Sequence, residues 1–248
     1  MSKILVTGGT GTLGKVFTKI LDERNAAYLI LSRSNQSGSK KIVVADLLHN
    51  QGVAEALKGI DIIFHLATDL KKDVVMTQNL LNAIGKESKV HLVYISIVGI
   101  DKVPFSYYKQ KLTSENAIKS SGVSFTILRA TQFHEFIYQI ISTFLKFPIG
   151  FLPKRIVSQP IQIEVVANEL FKLSQQPAAG KTFEIGGIKN MTLQQMATEW
   201  MLLTGKKKWV LNLPVFGELG KAFYNGSLTT TNRRKESITW KQWLSQHL

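Results

Sequence analysis

Cysteine is absent from the 248-residue chain. That excludes disulfides, thiolate nucleophiles and cysteine-ligated metals. No apolar run approaches the roughly 18 residues that a membrane-spanning helix requires. The most apolar stretch, Phe133 to Phe151, is interrupted by His134, Glu135, Gln139, Lys146 and Pro148. Acidic residues are few: 17 Asp and Glu stand against 31 Lys and Arg, a formal charge of +14. The excess is spread, because residues 1–124 carry 16 basic against 10 acidic groups and residues 125–248 carry 15 against 7. The densest basic runs, Lys206–Lys208 and Arg233–Lys235, are short and poor in interleaved aromatics, so a nucleic-acid partner is not expected. A solvated basic surface that attracts anionic small molecules is. His, Asp and Glu nowhere fall at metal-ligand spacing, and no G-x-S-x-G nucleophile turn occurs, so neither a metal nor hydrolase chemistry is expected. The chain opens on a core-strand pattern and not on a signal peptide, which leads us to expect a cytoplasmic, soluble protein with no membrane partner.

What is present begins at that opening. Lys3–Thr7 is apolar and β-branched, and it runs into Gly8-Gly-Thr-Gly-Thr-Leu-Gly14 and then the amphipathic Lys15–Leu21. Strand, glycine turn and helix form the context in which G-x-G-x-x-G holds a dinucleotide. The glycines supply positive φ, close approach of backbone to a pyrophosphate, and close helix–strand packing. Gly8, Thr10, Gly11, Thr12, Leu13 and Gly14 are therefore candidate cofactor-binding residues, with the pyrophosphate at the positive helix end.

Further apolar runs at Ala27–Ser32, Lys41–Ala45, Asp61–Leu66, Val90–Ser96 and Ser124–Arg129 predict strands. Between them Leu13–Asn25, Val53–Leu57, Val74–Gly85 and Tyr107–Ser120 carry helical spacing, and Ser32–Lys41 reads as a loop. Such alternation predicts an α/β fold: a doubly wound parallel Rossmann sheet covered on both faces. Beyond residue 130 the rhythm is lost. Helices at Val165–Gln175, Thr192–Thr204 and Thr239–His247 and strands at Lys181–Ile185 and Trp209–Leu213 suggest a small, irregular C-terminal α+β lobe. The expected division is a nucleotide-binding domain at 1–130 and a substrate-cleft lobe at 131–248, interleaved as one structural unit. Thr192 with Gln195 forms a plausible capping box.

About twenty residues beyond the glycines, where NAD-binding sheets place an acid, the chain reads Leu31-Ser32-Arg33-Ser34. Arg33 offers a bidentate contact to a 2′-phosphate, and Ser32 and Ser34 offer hydrogen bonds, with Lys40 and Lys41 adding to the field. NADP(H) is the expected cofactor.

Val6–Gly14, Ala45-Asp46-Leu47, His65-Leu-Ala67, Val93-Tyr-Ile-Ser96 and Tyr107-Tyr-Lys-Gln-Lys111 appear in that order. With Leu128–Phe133 they resemble the atypical short-chain dehydrogenase/reductase family of the NmrA-like and quinone-reductase-like type. The resemblance covers most of the chain and implies Asp46 and Leu47 near the adenine, and Ala67 and Thr68 under the nicotinamide-side ribose. Phe133, after the sixth strand, resembles residues that close over the nicotinamide. Tyr107 and Lys111, four apart on one helix face, have the Y-x-x-x-K spacing of reductases in the wider family. In that role the ammonium of Lys111 lowers the phenol's pKa and reaches the nicotinamide ribose, and Tyr107 protonates a carbonyl oxygen as hydride arrives. Full triads place Ser or Thr just after the fifth strand; here Ser96 is followed by Ile97, so its part stays open. His134 is read as a structural histidine and Tyr108 as core. The resemblance implies an NADPH-dependent oxidoreductase acting on a small carbonyl, enone or quinone. The alternatives are a non-catalytic NADP(H)-sensing regulator with a protein partner and a nucleotide-sugar epimerase or dehydratase relative. Substrate and oligomeric state are left undetermined.

Overall fold

Ile4, Leu5, Val6 and Thr7 are all buried, as a strand covered on both faces requires, and form β1 (Ile4–Thr7). The glycine turn feeds α1 (Thr12–Glu23), whose Leu13, Phe17, Ile20 and Leu21 recur at three- and four-residue spacing and are buried. The computed structural model describes residues 2–35 and 38–248, so Gln36 and Ser37 of the expected loop lie outside the described residues. Next come β2 (Tyr28–Ser32), β3 (Ile42–Val44), α2 (Val53–Ala56), β4 (Ile62–His65), α3 (Asp73–Ile84), β5 (His91–Ile97), α4 (Ser106–Ser120) and β6 (Phe125–Ala130). The rest comprises α5 (His134–Phe144), β7 (Ile149–Leu152), β8 (Val157–Ser158), α6 (Ile163–Ser174), β9 (Thr182–Ile185), β10 (Met191–Thr192), α7 (Leu193–Thr204), β11 (Trp209–Asn212), α8 (Gly217–Tyr224) and α9 (Trp240–His247).

Seven strands form one sheet in the order β3-β2-β1-β4-β5-β6-β9. Pairs from β3 through β5 are parallel, and Leu92 N–H to Ser124 O and Val98 N–H to Ala130 O advance together across β5 and β6. Strand order reverses between β1 and β4, the switch point at whose carboxyl edge ligands bind in such sheets. The doubly wound fold is thus present, with one change: β9, assigned from sequence to the lobe, extends the main sheet. Its edge is tied by Ile127 N–H to Lys181 O at 3.0 Å.

Two compact units result. The first is Met1–Ser96, Ser106–Arg129 and Ala167–Phe183; the second is Ile97–Phe105, Ala130–Val166 and Glu184–Leu248. In the first, Leu5, Ile63, Leu92 and Ile127 of the strands pack with Leu80, Leu81 and Ile118 of α3 and α4. Each such side chain contributes about 1.5–3 kcal/mol by leaving water. In the second, Leu152, Met196 and Trp200 pack with Trp240, Trp243 and Leu244. The Thr192–Gln195 capping box starts α7, and Thr239 with Gln242 starts α9 in the same way. His134 is buried there, stacked on Trp240 and Trp243 at 5.9 and 5.7 Å, with Nε2 at 3.2 Å from the Ile238 carbonyl. The stacking and this contact are what hold the buried ring in place.

Candidate active site

The loop after β1 is dictated by sterics. Gly8 has φ +70°, and a Cβ there would lie 2.5 Å from Ala67 N; one on Gly14 would lie 2.1 Å from Gly8 O. A Cβ on Gly9 would press Ile30 at 2.8 Å. Gly11 differs: its Cβ would meet only Gly8 O, at 3.3 Å. Its bareness therefore leaves room on the solvent side. Gly11 also occupies the N-cap of α1 with no side-chain cap, and the first turn has no acid. First-turn amides lack intrahelical acceptors, so this loop presents bare donors and positive dipole to an anion. Thr10, Gly11 and Thr12 are exposed and Leu13 is buried. These residues fit a pyrophosphate.

At the end of β2, Ser32 is half-buried and accepts from Ser34 N–H at 3.5 Å, and Arg33 is exposed. Lys40 is exposed too, but Lys41 pairs with Asp22 and lies over the Tyr28 ring at 4.3 Å. Lys41 is thus committed to a local pair and does not join the field expected around Arg33. Asp46 braces its own turn: Oδ1 accepts from Leu48 N–H at 2.8 Å and Oδ2 lies 2.8 Å from His49 Nδ1. The hydrogen bond from His49 holds its carboxyl below the usual range. Leu47 is buried and its carbonyl accepts from Asn79 at 2.8 Å.

Beside the glycine loop, β1 and β4 end in a buried hydroxyl–imidazole contact. Thr7 Oγ1 lies 2.8 Å from His65 Nδ1 and accepts from Ala67 N–H at 3.2 Å; His65 Nε2 meets Thr77 Oγ1 at 3.2 Å. Burial lowers the His65 pKa to about 4, with Lys111 assisting and Asp73 opposing. Burial likewise brings His134 to about 4. Both histidines are neutral when folded, whereas an unfolded histidine takes up a proton near pH 6.5. Acid therefore favours the unfolded chain: stability is full above about pH 7 and falls as pH drops from 6.5 towards 4, by about 2 kcal/mol for each histidine at pH 5. Denaturant unfolding at pH 7.5 and pH 5 checks this; equal stability at the two values would contradict it.

The centre of the site is Asp73, the buried first residue of α3. Its Oδ1 accepts from Thr68 Oγ1 at 2.7 Å. Its Oδ2 accepts from Tyr94 OH at 2.8 Å and Ser114 Oγ at 3.0 Å, and Lys111 Nζ lies 3.6 Å away. Thr68 Oγ1 also meets Tyr107 OH at 2.7 Å, so a line of hydroxyls joins Tyr107 to the carboxylate. Lys111 is buried under α4 with Nζ 4.1 Å from the Tyr94 ring centroid. Burial works to raise the Asp73 pKa, but Lys111, His65 and the hydroxyl donors outweigh it and hold it low. Burial pushes the Lys111 ammonium down, opposed by Asp73 and Glu115.

Tyr107 and Lys111 do share a face of α4, yet the expected electrostatics are reversed. Burial lifts the Tyr107 phenol above its ordinary value, against the Thr68 hydrogen bond, and Asp73 and Asp69 add to the rise. Burial is the main cause, and the ammonium that sequence reasoning assigned to the phenol faces Asp73 instead. Ser96 is buried, and with the Arg129 pair it helps to keep the Glu115 carboxyl low, while its Oγ has no hydrogen-bond partner among the described residues. Tyr108 is buried core. Phe133, in the second unit, is half-buried at the N-cap of α5 and bridged to Ile161. Asp73 and His65 are the residues that sequence reasoning missed as site members. An acid between Lys72 and an apolar helix was the available signal.

A family model described as NAD(P)H-binding matches residues 8–136. Quinone oxidoreductase 2 of Escherichia coli strain K12 is 21% identical over 221 residues, covering 85% of this chain and 77% of that protein. The solved NADPH-dependent quinone oxidoreductase of Escherichia coli, complexed with NADPH, aligns over 98% of this chain and 99% of its own at 18% identity, with a TM-score of 0.82. A nucleoside-diphosphate-sugar epimerase from Staphylococcus aureus aligns over 98% and 99% at 17% identity and a TM-score of 0.81. At these identities the structural likeness establishes the fold.

Proposed function

The chain belongs to the NAD(P)H-binding family, and on that premise we propose that it is an NADPH-dependent reductase of a small quinone, enone or carbonyl compound. The observation that carries the reading is the hydroxyl line Tyr107–Thr68–Asp73 beside buried Lys111, at the carboxyl edge where the glycine loop also lies. The loop from Gly8 to Gly14 would hold the pyrophosphate, Arg33 and Ser32 the 2′-phosphate, Leu47 the adenine side, and Ala67 and Thr68 the nicotinamide-side ribose. Bound there, the cofactor supplies a hydride. Tyr107, with its pKa raised, is protonated at neutral pH and so is a proton donor to a reduced substrate. Asp73 pairs with Lys111 and fixes Thr68, and through Thr68 the orientation of that phenol.

The proton donor matters in proportion to the charge that develops on substrate oxygen. A simple ketone concentrates that charge, so Tyr107→Phe is expected to slow its reduction about 100-fold. A quinone delocalises it and takes its proton later from water, so the loss is expected to stay under about tenfold, or 1.4 kcal/mol. NADPH affinity is expected to be unchanged in both cases. We expect the second pattern to describe the better substrate, because Ile97 follows Ser96 where full triads carry the companion hydroxyl. Steady-state rates of the variant on a matched ketone and quinone check it. An unaltered rate on both would remove Tyr107 from the chemistry, and a large loss on quinones would reverse the order. A second reading, an NADP(H) sensor without turnover, is favoured by the same pairing of Lys111 with Asp73, which leaves the phenol without an activating charge.

A further inference from the structure

We propose that the face built by β7 and β11 docks on an anionic lipid surface. The two strands pair in parallel with Trp209 beside Ile149 and Leu211 beside Phe151. Side chains two apart on a strand share a face, so these four form one apolar patch, and all four are exposed. Gly150 and Leu152, on the opposite face, are buried. Phe147 just before β7 and Phe216 just before α8 are exposed as well. Phe147, Trp209 and Phe216 are 68%, 77% and 79% exposed, far more than soluble surfaces ordinarily leave large aromatics.

Charge decides between occupants. Parallel pairing brings the leading ends of both strands together, so Lys146 gathers with Lys206–Lys208, and Lys208 Nζ donates to the Lys146 carbonyl at 3.2 Å. Segments 144–156 and 205–221 carry seven Lys and Arg against a single acid, Glu218. A second copy laid on the same face would set lysine against lysine, which costs affinity. An anionic bilayer instead offers an apolar layer beneath a negative surface, where each nearby Lys or Arg contributes roughly fivefold in affinity. Tryptophan and phenylalanine beside lysine are the side chains that settle at such an interface. Among the described residues no helix is long and apolar enough to cross a membrane, so the association is peripheral. The proposal departs from the sequence expectation of no membrane partner, and it stands apart from the reductase reading.

The protein carries its own probe. Trp200, Trp240 and Trp243 are buried, so Trp209 dominates the exposed indole emission. The full chain is titrated with phosphatidylcholine vesicles and with phosphatidylcholine–phosphatidylserine vesicles, at low and physiological salt. The expected result is binding to the anionic vesicles alone, weakened by salt, with a blue-shifted emission quenched by brominated acyl chains. Trp209→Glu, followed by co-sedimentation, and separately Lys207→Glu with Lys208→Glu are expected to reduce binding at least about tenfold each. Unchanged thermal melting of these surface variants shows that folding is intact. Lack of binding to anionic vesicles at low salt would overturn the proposal, as would binding indifferent to both variants. A dimer in sedimentation that Trp209→Glu dissolves would give the face to a second copy and overturn it equally.

Discussion

Gly14→Ala is expected to reduce NADPH affinity at least about 100-fold and to destabilise the fold by about 2–3 kcal/mol, within the range for overpacked cores. The new Cβ would sit 2.1 Å from Gly8 O and 2.6 Å from Gly9 Cα, both backbone atoms of the same tight loop. Neither has a rotamer into which to retreat, so the start of α1 must shift and carry its amide donors off the phosphate position. Gly11→Ala is the informative companion. Its Cβ meets only Gly8 O at 3.3 Å, so the fold is expected to remain near wild-type stability while the solvent-side bulk weakens NADPH binding. Fluorescence titration with NADPH and denaturant unfolding on both variants separate the two effects. A Gly14→Ala protein binding NADPH as tightly as the parent would show that the loop does not hold the cofactor.

Asp73→Leu is expected to cost about 3–5 kcal/mol, the penalty for breaking a buried ion pair from one side. The substitution leaves the Lys111 ammonium without its carboxylate and the Tyr94, Ser114 and Thr68 hydroxyls without their acceptor, all in one buried volume. That is a large part of the 5–15 kcal/mol that holds a typical domain folded. Adding Lys111→Met is expected to restore much of the loss, because an apolar pair of similar volume is often neutral in place of a buried ion pair. Asp73→Asn keeps an acceptor for Thr68 and Tyr94 while removing the charge. If Asp73 positions Tyr107, this conservative variant is expected to lower kcat with little change in KM for NADPH. Urea unfolding of the single and double variants measures the coupling; a cost under about 1 kcal/mol for Asp73→Leu would place the ammonium in contact with water and undo the description of the site.

Asp73 also marks where sequence reasoning reaches its limit. Following Leu70-Lys71-Lys72, it reads as an ordinary acid favouring the positive end of a helix. Only the pairing of α3 with α4, together with Tyr94 from β5, makes it a buried hub. The glycine loop was legible because its demands are local: positive φ at Gly8 and the absence of a Cβ at Gly14 follow from a strand turning into a helix within a few residues. Strands β1, β4, β5 and β6 were legible for a related reason, since burial on both faces leaves an almost unbroken apolar run. β7 was not, because Pro148 and Pro153 bracket a short segment whose outward Ile149 and Phe151 contradict the usual alternation. β9 was seen as a strand, but no local signal tells an edge strand which sheet it joins. The raised phenol of Tyr107 was illegible too, since spacing places Lys111 on its face without revealing the carboxylate that meets the charge first.

The central claim is turnover, and the most direct measurement is oxidation of NADPH and of NADH by the full chain across a panel of quinones, enones and simple carbonyls. The account predicts turnover with at least one member of the panel, quinones foremost, and a kcat/KM for NADPH at least about tenfold above that for NADH. That preference follows from the exposed Arg33 and the lack of an acid beside it, a charge-assisted contact of about 1.5–3 kcal/mol. Tight NADPH binding with no oxidation across the whole panel would contradict it and leave the chain a sensor of the cofactor.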